Sequence, residues 1–526
     1  MIARLVRVTL LAAGWLLLSG HVGSNNVVLE GTAGGYPVRV IISPPGVVPA
    51  QVPIMVRVLK GTPSRVTVQA AQWNLGTKGA PPPEDASTVA GEPGVWAHDL
   101  WIMTSSTYAV HVAVEGPAGN GTLVVPMQSS ATRTLGMDRI MTVVLVTLGT
   151  LLVLGVLTIA GAAAREGSLP VGEKPTPVRK RKARIAMAFT AGLLGLALLG
   201  GAKWWAVEAD AYGRSLFRPV ESASSVRESA GTRVLTTAIT DSLWRAGRYS
   251  PMMPDHGKMM HLFLVRADAG AIAHLHPVRV HADSFITRVP DLPAGRYLLF
   301  ADILLQSGAQ RTLTDTVDLP AAAAVGGVPA ASAAVAASTV PALDGDDSWR
   351  AMPAVAMGEA ASLAGGGTLT LRADTSIVAG RDLRLVATVR DADGSASTLE
   401  PYMGMGGHAM VVRVDGGVFV HLHPAGTASM AAQAQLVRRE RGDTLRSDSA
   451  TAVTDSVAPA GASASTTAHD AHQPSSGSGV ASDITLAFPF AFPGAGDYRV
   501  FVQVKRAGAV ETASFRIAVP DAILRP

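Results

Sequence analysis

Apolar positions in this 526-residue chain fall into three kinds of run. The first is a short block at residues 8–18, preceded by Arg4 and Arg7 and followed by Val22, Gly23 and Ser24. A basic start, a short apolar centre and a small-residue exit predict a secretory signal over residues 1–24. The second kind comprises two long blocks. Residues 140–163 carry no charge over 24 positions, which as a helix is about 36 Å and enough to cross a bilayer. Residues 185–207 carry one charge, Lys203, beside Trp204 and Trp205, where an ammonium can reach the membrane interface. The intervening residues 164–184 hold Arg165, Lys174, Arg179, Lys180, Arg181, Lys182 and Arg184 against Glu166 and Glu173. That bias predicts a basic cytoplasmic loop between two transmembrane helices, with both flanking regions on the periplasmic or outer side of a cell membrane.

The third kind is the short run rich in β-branched and aromatic residues. Six occur before the membrane blocks, at 36–42, 52–58, 66–70, 96–103, 108–114 and 122–127, separated by Pro44-Pro45, Pro81-Pro82-Pro83 and Gly116-Pro117. This spacing predicts an exported immunoglobulin-like β-sandwich over residues 25–129, in which His98 and His111 read as structural. After the second block, residues 208–250 read as a polar connector. Two further β-domains follow at 251–320 and 365–520, joined by an Ala/Val-rich linker at 321–364. Residues 425–482 lack aromatics and are rich in Ser, Thr and Ala, the signature of a disordered insertion. The fold class expected is therefore mainly β: Ig-like β-sandwich domains joined through two transmembrane helices.

The two later domains are copies of one another. At a constant offset of 147, His261 matches His408, Arg266 matches Arg413, Asp268 matches Asp415, and His274-Leu275-His276-Pro277 matches His421-Leu422-His423-Pro424. Downstream, the run 293–300 resembles 493–501. Asp415-Gly416 lies between two apolar runs and predicts a two-residue type I′ hairpin. Pairing centred there sets His408 opposite His423 and Met410 opposite His421. The same rule in the first copy sets His261 opposite His276 and Phe263 opposite His274. Residues two apart share a face and directly opposed side chains lie about 5 Å apart, so each copy presents three clustered imidazoles.

Methionines surround these sets: Met252, Met253, Met259 and Met260 in the first copy, Met403 and Met405 in the second. Of 13 histidines, 10 lie after residue 250. The chain has no cysteine, which excludes disulfides, thiolate metal sites and cysteine nucleophiles and leaves His and Met as its soft ligands. The candidate metal ligands are His256, His261, His274, His276, His408, Met410, His421, His423, Met259 and Met405. Thioether plus imidazole favours copper, with zinc on three imidazoles as the nearest competitor. The alternative is a non-catalytic envelope scaffold whose histidines form a hydrogen-bonded structural network. A net charge of +4 is too small to argue for nucleic acid; the partners expected are the lipid bilayer and envelope proteins. No nucleophile elbow, phosphate loop or metalloprotease helix appears, so an enzyme is not expected. His469 and His472 form a separate, weaker candidate pair.

The run 256–263 with His274-Leu275-His276-Pro277 resembles a motif of bacterial secreted and membrane-anchored proteins that accompany metal handling. The N-terminal β-domain, with Gly35-Tyr36-Pro37-Val38 and Leu100-Trp101-Ile102-Met103, resembles the YtkA/FixH-like and CopC-like sandwich modules. That resemblance implies an immunoglobulin-type fold and, for the CopC-like members, periplasmic copper binding through His and Met. The chain departs from the CopC pattern in lacking an N-terminal histidine ligand, since His21 precedes the expected cleavage point.

Overall fold

The computed structural model describes residues 26–170, 172–229, 232–321, 341–442 and 485–521. The expected signal, the pair His469 and His472, and most of the expected insertion lie outside the described residues. The structure is mainly β, with several antiparallel sheets and two long apolar helices. It divides into two units. One contains residues 45–48 and 130–218, and the other contains the β-domains.

In the helical unit, Asp138 caps Arg139–Glu166 by accepting from the Ile140 and Met141 amides. Thr176 caps Pro177–Ser215, with Pro177 in the first turn where its missing N–H costs nothing. Both helices are long and apolar enough to cross a membrane. Thr147 and Thr150 return their hydroxyls to the Val143 and Val146 carbonyls, each at 2.8 Å, which suits polar side chains to an apolar surround. The second helix starts earlier and ends later than the expected 185–207. Arg179 to Arg184 lie on its first turns, and the loop between the helices shrinks accordingly.

The N-terminal region folds as two facing sheets. One sheet contains Val27–Ala33, Tyr36–Ile42, Ala50–Val58 and Val95–Ile102; the other contains Arg65–Gln72, Ser106–Glu115 and Gly121–Ser129. Their facing side chains, among them Val40, Val56, Val68 and Val112, enclose one core. Val27–Ala33 is a strand the alternation did not announce, and its edge is covered by the second copy. The Glu30 amide donates to the Ala425 carbonyl at 2.7 Å, and Arg39 and Arg384 converge on Glu30. Residues 425–442, expected as part of a disordered insertion, thus include an ordered segment. It continues into the helix Met430–Glu440, capped by Ser429, whose Leu436 packs on Ala109 and Val124.

Each later copy is also two sheets around a core. In the first, Ser222–Ser229 and Thr232–Ile239 pair as a hairpin and extend the sheet of Ser284–Arg288 and Val278–His281. Residues read as a connector therefore supply two of the four strands of that sheet. The facing sheet holds His261–Arg266, Ala271–Leu275 and Gly295–Leu305, and Ser348–Ala351, from the expected linker, adds an edge strand. The second copy repeats the plan with His408–Arg413, Phe419–Leu422 and Gly496–Arg506 opposite Thr368–Ala373, Asp382–Arg390 and Thr485–Ala491. Tyr297 donates to the Pro293 carbonyl and Tyr498 to the Gly494 carbonyl, both at 2.8 Å.

Both histidine hairpins are buried on both faces. Leu262 and Leu264, like Ala409 and Val411, face their own sandwich core. Phe263, Val265, Met410 and Val412 face the opposite copy and meet in an apolar layer with Phe300, Phe419 and Phe501. The copies thus stack sheet against sheet with period-two alternation dividing two cores.

The registers are those the sequence predicts: Phe263 pairs with His274 and Met410 with His421. The turns differ from type I′. Only the second central residue is left-handed, Gly416 at φ 75° and Ala269 at φ 54°, while the Asp268 and Asp415 carboxylates accept the Gly270 and Gly417 amides. The centre of each turn is unchanged, so the register survives. An alanine held left-handed is strained by about 1 kcal/mol or more. Ala269→Gly is expected to stabilise the protein by roughly 0.5–1 kcal/mol, read as a higher urea midpoint; a lower midpoint would contradict the strain.

Candidate metal centre

Every histidine of the two triads lies in the layer between the copies, and all six are buried. His256 joins them from a turn whose Asp255 and Lys258 amides and carbonyls bond reciprocally at 2.9 Å. Two clusters of converging ligand atoms result, each within 4.8 Å: His261, His274 and His276, and His256, His408 and His423. The first comes from one copy. The second is mixed, because His256 crosses from the first copy to complete a pair from the second.

Hydrogen bonding fixes the tautomers of the first cluster. His261 Nε2 donates to the Asp255 carbonyl at 3.1 Å, which leaves Nδ1 with its lone pair. His274 Nδ1 donates to Gln503 Oε1 at 2.9 Å and lies 3.2 Å from the Tyr402 oxygen, whose own proton goes to the Asp346 carbonyl. Its Nε2 is then a lone pair as well. His276 Nδ1 donates to the buried Asp347 carboxylate at 2.9 Å, and its Nε2 has no hydrogen-bond partner among the described residues. His261 Nδ1 and His274 Nε2 stand 3.2 Å apart, yet neither has a proton to offer the other. Two nitrogens bound to one tetrahedral metal at about 2.0–2.1 Å lie roughly 3.3 Å apart. Three lone pairs pointing inward, each ring oriented by an outer acceptor, is the arrangement of a metal-ligating histidine set.

The second cluster is barer. Both nitrogens of His408 and of His423, and Nε2 of His256 and His421, have no hydrogen-bond partner among the described residues. The Ala428 backbone affects His423 electrostatically without hydrogen-bond geometry. A buried polar group without a partner costs about 1–3 kcal/mol. Several together in one cluster fit a bound cation.

Electrostatics favours the neutral form, the one that ligates, at His261, His274, His408, His421 and His423. Burial, reinforced by neighbouring His276, drives His261 down to about 3. Burial and His256 do the same to His423, also to about 3. His274, His408 and His421 are lowered well below the ordinary imidazole range, first by burial and then by neighbouring imidazoles. Asp302, 3.9 Å from His421 Nδ1, is pushed up to about 7 by burial despite a bond from the Thr312 hydroxyl.

The copies meet about an approximate two-fold axis. Gln503 of the second copy faces His274 of the first, while Asp302 of the first faces His421 of the second. These two partners occupy matching places, opposite His408 and His261 on the next strand. The turn at His256 and Gly257 (φ 51° and 80°) is repeated at Met403 and Gly404 (φ 50° and 79°). Methionine therefore holds in the second copy the turn position that histidine holds in the first.

Among the expected ligands, all seven histidines come together. Met410 instead packs in the apolar layer with Phe263 and Phe501, and Met259 packs against the first-copy core. The Met405 amide and carbonyl close the turn with Tyr402. Asp302, Gln503 and Asp347 were not anticipated. Asp302 and Gln503 are each the lone polar residue in an apolar run, at 298–305 and 500–504, a signal that marks a strand position facing polar chemistry. His98 and His111 lie elsewhere and contact Glu84 and Glu440.

A family described as a domain of unknown function, DUF8832, matches residues 361–444. No curated protein matches the chain. Among solved structures, dimeric latent PorU from Porphyromonas gingivalis is 7% identical with a TM-score of 0.14, covering 95% of this chain and 34% of PorU. The chain thus spans about a third of that protein's length. An ICAM-5 D1–D4 ectodomain fragment is 9% identical with a TM-score of 0.13, covering 93% of this chain and 83% of the fragment.

Proposed function

We propose that this chain is a membrane-anchored, extracytoplasmic metal-binding protein that holds copper at the interface of its two repeated domains, for storage, delivery or sensing. The observation that carries the reading is the set of buried imidazole nitrogens without partners, in rings that burial keeps neutral. A purely structural histidine network would satisfy its nitrogens internally. Copper is carried over from the methionine-rich sequence around the histidines; the clustered ligand atoms are all imidazole, a set that suits copper and zinc alike. Anchoring is supported by the two apolar helices, and the outward placement of the β-domains by the basic residues between them. The immunoglobulin-like fold and the kinship with YtkA/FixH-like and CopC-like modules belong to the same reading. It assigns no catalytic role; lipid and envelope proteins are the partners it implies.

Calorimetric titration of the full chain in detergent with Cu(I), Cu(II) and Zn(II) tests it. Saturable binding is expected with copper tightest, and a His261→Ala, His408→Ala double variant is expected to lose at least 100-fold in affinity. No saturable binding, or binding that the double variant leaves unchanged, would sink the reading.

A further inference from the structure

The two histidine clusters touch. His421 lies 5.2 and 4.7 Å, ring centre to ring centre, from His408 and His423 of one cluster. It lies 5.4 Å from both His261 and His274 of the other. These separations match those within a cluster, where His256 stands 5.8 and 5.0 Å from His408 and His423. His421 thus borders both sets, somewhat closer to His408 and His423. Its Nδ1 faces Asp302, and its Nε2 is buried and unpartnered. His256, in turn, is 6.2 Å from His261. Phe263 packs against both His274 and His421.

Resting on the metal-binding reading above, we infer that the seven histidines form one dinuclear centre. Two ions bind side by side between the copies, with His421 in reach of both. Each ion sits about 2 Å from its ligand nitrogens, so neighbouring sets of rings in van der Waals contact hold their ions within a few ångströms of one another.

Charge supports two ions rather than one. Two close cations repel strongly in a low-dielectric interior unless they are balanced. Three buried carboxylates border the cluster, each against a different histidine. Asp347 lies 2.9 Å from His276, Asp255 3.4 Å from His256 and Asp302 3.9 Å from His421. They are spread around both clusters and do not gather at one. Asp347 stands beside the first set of rings and Asp255 beside the second, so each set has a carboxylate of its own at hand.

Titration of the full-length protein in detergent with Cu(II), followed by low-temperature electron paramagnetic resonance and elemental analysis, tests the inference. The first equivalent is expected to give the signal of an isolated ion. The second is expected to broaden and diminish that signal and to add a half-field line, with two ions bound per chain. Two ions giving full, uncoupled intensity would overturn the inference while leaving metal binding intact, as would saturation at one ion. Absence of any bound ion would overturn the metal-site reading itself, and this one with it. In His421→Gln the second equivalent is expected to bind roughly tenfold or more weakly, with the first weakened no more than the second. An unchanged affinity for both equivalents, or a loss confined to the first, would overturn the sharing of His421. The wild-type titration decides the main point even where that variant fails to fold.

Discussion

Acidifying the metal-free protein from pH 7 to pH 5 is expected to lower its unfolding free energy by several kcal/mol. Five imidazoles, His261, His274, His408, His421 and His423, are held below their ordinary value of 6.5 by burial in the folded state. Below pH 6.5 the unfolded chain takes up protons at these positions that the folded chain refuses. Stability then falls with pH, by about 1.4 kcal/mol per pH unit for each ring. Asp302 acts in the opposite direction. Its folded value is raised to about 7, so its cost is greatest at neutral pH and shrinks on acidification. One carboxyl against five imidazoles leaves a net loss on the order of 5–10 kcal/mol between pH 6.5 and 5. Urea unfolding at pH 7, 6 and 5 measures it. A midpoint that does not move over this range would show that the rings are solvated or already charged.

Saturating copper is expected to offset that loss. An ion bound only by the folded state stabilises it by about 4 kcal/mol when free metal is 1,000-fold above Kd, and two ions contribute twice. The melting transition should rise by many degrees at pH 7. The acid transition should move to lower pH, because a lone pair engaged by metal is closed to a proton. Parallel melts with and without copper, followed by tryptophan fluorescence, give both shifts. Superimposable curves would leave the buried imidazoles without a metal to explain them. Zinc stabilising more than copper would keep the site and change the metal.

The hairpin registers were legible because they depend only on where each turn is centred. Asp268-Ala269 and Asp415-Gly416 marked those centres even though the turns are not type I′. The six triad histidines followed from strand periodicity alone. What the sequence reading missed was the layer beyond them. Leu262 and Leu264 alternate with Phe263 and Val265, so the hairpin is apolar on both sides and must be covered on both. Taken seriously, that pattern places the histidine face against another sheet and not in solvent. His256 could not be assigned to the opposite copy without the packing, because its partners His408 and His423 lie more than 150 residues away. Thr232–Ile239 alternates cleanly and was legible as a strand, yet its polarity resembled a connector. Residues 425–442 carry few large apolar side chains, and their order depends on docking to Val27–Ala33 and to Ala109.

The paired contacts of Gln503 with His274 and of Asp302 with His421 are those of an isologous dimer, here written into a single chain. In two separate chains, such a centre would assemble at a rate and extent set by protein concentration, and it would come apart on dilution. Covalent continuity replaces that dependence with a fixed effective concentration. The affinity of any ion held there would then be a property of one molecule, unchanged by dilution of the chain. Fusion also releases the two halves from identity. His256 and Met403 occupy the same turn position, and a homodimer could not have placed a histidine on one side and a thioether on the other.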